Sequence, residues 1–183
     1  MSCFVNCTKE SIPRPGMVLF DYGDTLARES APDFPRGWRA VFKYVRAKPE
    51  DVGPKEAYEL ADSLWRRFSD SRSLSAARKG GWEIHEWQQL RAVSEALGLE
   101  FSVPLPEVET VLMDSSCESH PCRGTAGMLD FLQRQGIITG VISNIGWSGR
   151  ALAHRLTELF PENHFEFILA SSEYGVRKPD PLL

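Results

Sequence analysis

The chain has 183 residues, 42% of them hydrophobic and 25% charged, with a net charge of −4 and a pI near 5.6. Such an acidic, ordinary composition gives no electrostatic basis for binding nucleic acid or an anionic membrane. No apolar run approaches the roughly 20 residues that span a bilayer, and the N-terminus lacks the basic start and apolar stretch of a secretory signal, so a cytoplasmic setting is expected.

Residues 1–16 read as a tail that ends in the turn-forming stretch Pro13-Arg14-Pro15-Gly16. MVLF (17–20) is a short apolar run that reads as a strand buried on both faces. Residues 29–119 carry helical periodicity and no convincing strand. A first stripe is Trp38, Val41, Phe42 and Val45, and a second is Ala57, Leu60, Ala61, Leu64, Trp65 and Phe68 behind Pro54. Trp87, Leu90, Val93 and Leu97 form a third stripe, closed by Gly98, and Val108, Val111 and Leu112 a fourth. Within this region Trp82 and Trp87 are expected in the core, with Arg78 and Lys79 solvated around Gly80-Gly81; a substrate-lining role for that cluster, or a base role for His85 or His120, is the less favoured reading.

Beyond residue 119 the pattern changes. A helix is expected over 124–136 with Gly136 as its stop, a strand over 136–143, a helix over 148–160 and a strand over 165–170. Strand alternating with helix implies an α/β fold, a Rossmann-like parallel sheet with crossover helices. The expected organisation is therefore a tail (1–16), a discontinuous α/β core (17–28 and 120–183) and an inserted all-helical module (29–119). Cys3, Cys7, Cys117 and Cys122 have neither zinc-ribbon spacing nor a completing His pair, and are expected to be free thiols.

In a parallel sheet of this kind ligands bind beyond the carboxyl ends of the strands. Asp21-Tyr22-Gly23-Asp24 follows the first strand, Ser143-Asn144 closes the second, and Lys178 follows the third. A carboxylate, a hydroxyl with an amide, and a lysine can together attack and hold a phosphoryl group. Each alone has a plainer reading, as a helix cap, an Asx turn or a solvated base. The joint pattern at three strand ends is what points to chemistry.

FDYGDTL (20–26), VISN (141–144) and GVRKPDP (175–181) resemble the first three motifs of the haloacid dehalogenase superfamily, in its helical-cap subclass. The resemblance covers residues 17–183 and implies a hydrolase, chiefly a phosphatase acting on a small phosphorylated metabolite through an aspartyl-phosphate. It implies Asp21 as nucleophile, Ser143 and Asn144 as phosphoryl ligands, and Lys178 as the group that neutralises the phosphoryl charge and orients Asp21. It also implies Mg²⁺, held by the Asp21 carboxylate and the Gly23 carbonyl together with an acid from a later strand.

Two departures qualify that expectation. Phosphatases of the family usually carry an Asp two residues after the nucleophile, where this chain has Gly23, so Asp24 is the expected substitute acid; its plainer role is a polar turn residue. Gly23 also leaves dehalogenase or phosphonate-hydrolase chemistry open. The chain stops at Leu183, before the expected metal-binding acid, so a truncated fragment without catalysis, serving only to bind a partner, is the rival expectation. In that case MVLF forms an exposed sheet edge, and self-association through it is expected.

Overall fold

A computed structural model of the chain describes residues 13–74 and 81–183. Cys3, Cys7, Arg78, Lys79 and Gly80 lie outside the described residues, as does most of the expected tail. The central sheet is formed by β1 (Met17–Phe20), β6 (Ile138–Ser143) and β7 (Phe167–Ala170), all parallel, in the order β1-β6-β7. Their register sets Phe20 beside Val141, and Ser143 beside Ala170. The three strand ends therefore fall on the same edge of the sheet, as its α/β pattern requires.

The crossover helices are α5 (Thr125–Arg134), which precedes β6, and α6 (Gly149–Leu159), which links β6 to β7. The Ser148 hydroxyl accepts a hydrogen bond from the Ala151 N–H at 3.1 Å and starts α6. Gly136 takes a left-handed φ of +64° after α5, a conformation that costs glycine nothing. Tyr22, Leu26, Leu129, Leu152 and Leu156 are buried in one cluster with Val141 of β6.

Between β1 and α5 the chain builds a helical layer: α1 (Phe34–Val41), α2 (Pro54–Leu74), α3 (Glu86–Leu97) and α4 (Leu105–Ser116). Trp38, Val41, Ala57, Ala61, Leu90, Val93, Val108 and Leu112 meet in its core, drawn from all four periodic stripes. Each buried side chain of Leu or Val size contributes about 1.5–3 kcal/mol. α1 and α4 approach closely because position 37 is glycine: a β-carbon there would lie 2.1 Å from the Ser116 hydroxyl.

The expectation of no strands in 29–119 is corrected by two short ribbons. β3 (Val45–Ala47) pairs antiparallel with β4 (Glu100–Phe101). β2 (Ala27–Glu29) pairs antiparallel with β5 (Ser119–Pro121), so the two strands that lead into and out of the helical layer are zipped together. Ladders of two or three residues are too short to display a two-residue alternation, so they leave no pattern in the sequence. One aromatic expectation also fails: Trp82 is 44% exposed, and Trp65 of the second stripe is 41% exposed. Helical spacing marks which residues share a face, but not whether a neighbour covers the end of that face.

Arg155 of α6 fastens the two layers. It is buried, with Nη2 2.9 Å from Asp114 of α4 and Nη1 3.2 Å from Glu29 of β2. It also donates to the Ser119 hydroxyl of β5. The Tyr22 hydroxyl donates to the same Glu29 carboxylate at 2.8 Å, and burial raises the phenol pKa above its ordinary value.

Candidate functional site

Asp21 leaves β1 at its carboxyl end, with its side chain half exposed and one oxygen accepting the Tyr22 N–H at 2.8 Å. Lys178 reaches it from the segment after β7: Nζ lies 3.0 Å from Asp21 Oδ1 and donates to the Ile142 carbonyl at 2.6 Å. Ile142 is the next-to-last residue of β6. The ammonium thus sits in the notch where β1 and β6 end, bonded to both.

Asn144 holds the lysine from behind. Its side-chain oxygen accepts the Lys178 N–H at 2.7 Å, and its amide donates to the Lys178 carbonyl at 3.2 Å. The structure thus engages both ends of the Asn144 amide with the backbone of Lys178. Ser143 is buried at the end of β6, next in sequence to Asn144. Asp24 takes a left-handed φ of +56°, its N–H bonded to the Ala27 carbonyl at 2.8 Å, a conformation that Asp tolerates in turns. Its exposed carboxylate faces Arg28 at 3.5 Å. A β-carbon at Gly23 would meet nothing within 4 Å.

Among the described residues no three His, Cys, Asp or Glu side chains gather as metal ligands. The expected metal ligands, the Asp21 carboxylate and the Gly23 carbonyl, are both oxygen donors. Such a set fits Mg²⁺, which keeps several waters and takes phosphate oxygens from its substrate.

Three features of the site left no mark in the sequence. Residues 81–86 cross from the helical layer to the Lys178 segment: the Glu83 N–H donates to the Gly175 carbonyl at 3.0 Å, and the Arg177 N–H to the Gly81 carbonyl at 3.1 Å. The buried Glu83 carboxylate accepts from Arg177 and, at 2.9 Å, from the Ser171 hydroxyl. The neighbour of Lys178 is in this way anchored by a residue 94 positions away.

The second feature is Glu109 of α4, wholly buried, which accepts from the Ser148 N–H at 2.7 Å, the Ser148 hydroxyl at 2.6 Å and Trp87 Nε1 at 2.5 Å. A carboxylate at the start of α6 suits the helix dipole. The third is a cavity of about 390 Å³ between α1, α2, α3 and the loop after Asn144, walled by Phe34, Trp38, Tyr58, Trp65 and Trp147. Of the histidines weighed as bases, His85 caps α3, its Nδ1 accepting the Trp87 N–H at 3.2 Å, and its Nε2 faces Glu173 at 3.5 Å. His120 lies in β5. Cys117 and Cys122 are free, and burial raises the Cys117 thiol pKa.

No sequence-family model and no curated protein sequence matches this chain. Solved structures do resemble it. One is an L-2-haloacid dehalogenase, at 16% identity over 93% of this chain and 70% of that one, with a TM-score of 0.44. Another, provisionally assigned as a haloacid dehalogenase-like hydrolase from Bacteroides fragilis, is 20% identical over 92% of this chain and 69% of that one, with a TM-score of 0.44. A third, provisionally assigned as a phosphoglycolate phosphatase from Lactobacillus delbrueckii, is 18% identical over 85% and 64%, with a TM-score of 0.38. These are likenesses of fold, and at such identities they carry no substrate with them. Among the described residues no helix is long and apolar enough to cross a membrane.

Proposed function

We propose that the protein is a hydrolase that cleaves a small phosphorylated metabolite through an aspartyl-phosphate at Asp21. The observation that supports this most directly is the 3.0 Å pair between Asp21 and Lys178 beyond the ends of β1 and β6. A half-exposed carboxylate beside a fixed ammonium can meet a phosphoryl group while the lysine offsets its charge.

In the first step an Asp21 oxygen bonds to phosphorus, and the bond from phosphorus to the alcohol oxygen breaks. The departing oxygen takes a proton. Water then adds to phosphorus, the bond to Asp21 breaks, and inorganic phosphate leaves with the carboxylate restored. Ser143, at the end of β6, is the candidate hydroxyl donor to the phosphoryl oxygens, and Asn144 fixes Lys178. Asp24 is the candidate proton donor, because its exposed pairing with Arg28 costs little to give up. Mg²⁺ on the Asp21 carboxylate and Gly23 carbonyl would supply further charge neutralisation.

Hydrolysis of an aryl phosphate, with and without Mg²⁺ and beside an Asp21→Asn control, tests this reading. Turnover that requires Mg²⁺ and is lost in the control is expected. Equal rates for the wild type and the control would overturn it. Gly23, which offers no acid beside the nucleophile, favours a second reading, attack of Asp21 on a carbon that bears halogen. That reaction needs no metal, so halide release persisting in chelator distinguishes it.

A further inference from the structure

The cavity beside the candidate site is walled by five aromatic rings, and two carboxylates, Glu86 and Asp62, also line it. Among the described residues no Lys, Arg or His lines it. Phe34 and Trp147 have ring centroids 6.5 Å apart, and Trp38 is buried. Asp62 has Arg66 as a partner at 2.8 Å. Glu86 has Glu109 close behind it, and burial first, Glu109 second, push its carboxyl up to about 8, so that only a cation placed beside it would draw it back to the carboxylate at neutral pH. Among the described residues the wall therefore offers aromatic faces and one acid, Glu86, that has no basic partner. Aromatic faces with a carboxylate recognise alkylammonium groups, and desolvated cation–π contacts are worth about 2 kcal/mol or more.

Part of the cavity wall is the loop that leaves the candidate site. Gly146 and Trp147 line it and follow Asn144 by two and three residues, so its wall begins no more than about 7 Å, along the chain, from the residue that fixes Lys178. The loop is held against the layer above by the Glu86 N–H, which donates to the Gly146 carbonyl at 2.9 Å.

From this geometry we infer that the aromatic cavity binds the alkylammonium end of the substrate, so that the substrate class is the phosphomonoesters of amino alcohols. The inference rests on the hydrolase reading for the phosphoryl end only. The cavity's taste for a cation stands on its own residues.

Choline and neohexyl alcohol, which carries a tert-butyl group where choline carries trimethylammonium, separate charge from shape. Both are titrated into the full chain with tryptophan fluorescence and calorimetry as readouts. Choline is expected to bind about tenfold tighter than neohexyl alcohol or better, since 1.4 kcal/mol is tenfold. Glu86→Gln is expected to lose that preference while leaving the binding of neohexyl alcohol unchanged, and Trp65→Ala, at a half-exposed ring, to weaken both. Equal affinity for the two probes, or no binding of either, would overturn the inference. Aryl-phosphate hydrolysis is run in parallel. Hydrolysis without choline binding sinks the cavity assignment alone, and choline binding without hydrolysis of either aryl phosphate or phosphocholine sinks the hydrolase reading alone.

Discussion

Lys178 Nζ lies 3.0 Å from Asp21 Oδ1 although the two residues belong to opposite ends of the chain, and the same ammonium donates to the Ile142 carbonyl at 2.6 Å. The lysine is therefore placed by the strand ends and by Asn144, not by the nucleophile alone. Lys178→Met is expected to keep the fold and to lower kcat for an aryl phosphate about 10²–10³-fold, the usual loss for one aligned donor to a developing charge. Steady-state kinetics with a melting control checks it. A loss of less than about tenfold would show that the charge is offset elsewhere.

Position 23 is open space for a side chain. Gly23→Asp is accordingly expected to fold normally. If the reaction is phosphoryl transfer limited by a missing acid, it should raise kcat towards the 10²–10⁴-fold that general acid–base help supplies. Asp24→Asn should lower the wild-type rate and have little effect in the Gly23→Asp background. An unchanged rate in Gly23→Asp would mean that protonation is not limiting.

Arg155 is buried against Asp114 and Glu29, whose side chains stay 42% and 30% exposed. Arg155→Met takes the buried cation from both acids, leaving Glu29 the Tyr22 hydroxyl and Asp114 the part-exposed His154 at 3.3 Å. Removing one partner of a fully buried pair costs about 3–5 kcal/mol; because water still reaches these acids, about 2–3 kcal/mol is expected here. Denaturant unfolding measures it, and a loss below about 1 kcal/mol would show that the layers do not depend on this fastening.

Glu86 gives stability a pH dependence whose sign can be worked out. Its folded pKa is about 8 against an ordinary value of 4.5, with burial the first cause and the Glu109 carboxylate the second. Between those values the unfolded chain releases the proton and the folded chain keeps it. The contribution is therefore fully present below 4.5 and declines as pH rises to about 8, beyond which it changes no further. Glu86→Gln is expected to flatten that decline. Chemical denaturation across the window checks it, and parallel curves for the two proteins would contradict the assignment.

Among the described residues β1 is an edge strand, with Met17 and Leu19 exposed at 41% and 52% and Ile138 beside it at 45%. Open edges with apolar side chains template further pairing. Concentration-dependent association is expected in sedimentation velocity, and Leu19→Lys should abolish it. A single monomeric species for the wild type at every concentration would refute it.

The sequence determined what is local. Apolar runs of four to eight residues gave the positions of β1, β6 and β7, but the expectation that MVLF is buried on both faces fails, because Met17 and Leu19 stand exposed on the open face of β1. Stripes of three- and four-residue spacing gave the helices, and glycines that tolerate a positive φ gave their stops, as at Gly98 with φ +62° and Gly136. The order of the strands places Asp21, Ser143 and Lys178 at one sheet edge. Only the tertiary structure decided what depends on distant partners: that Asn144 grips the backbone of Lys178, that Glu83 anchors Arg177 across the layers, and that Trp65 borders a cavity instead of filling a core. Periodicity records which face a residue occupies, whereas these contacts depend on how whole elements dock, and a side chain carries no local mark of a partner 94 residues away.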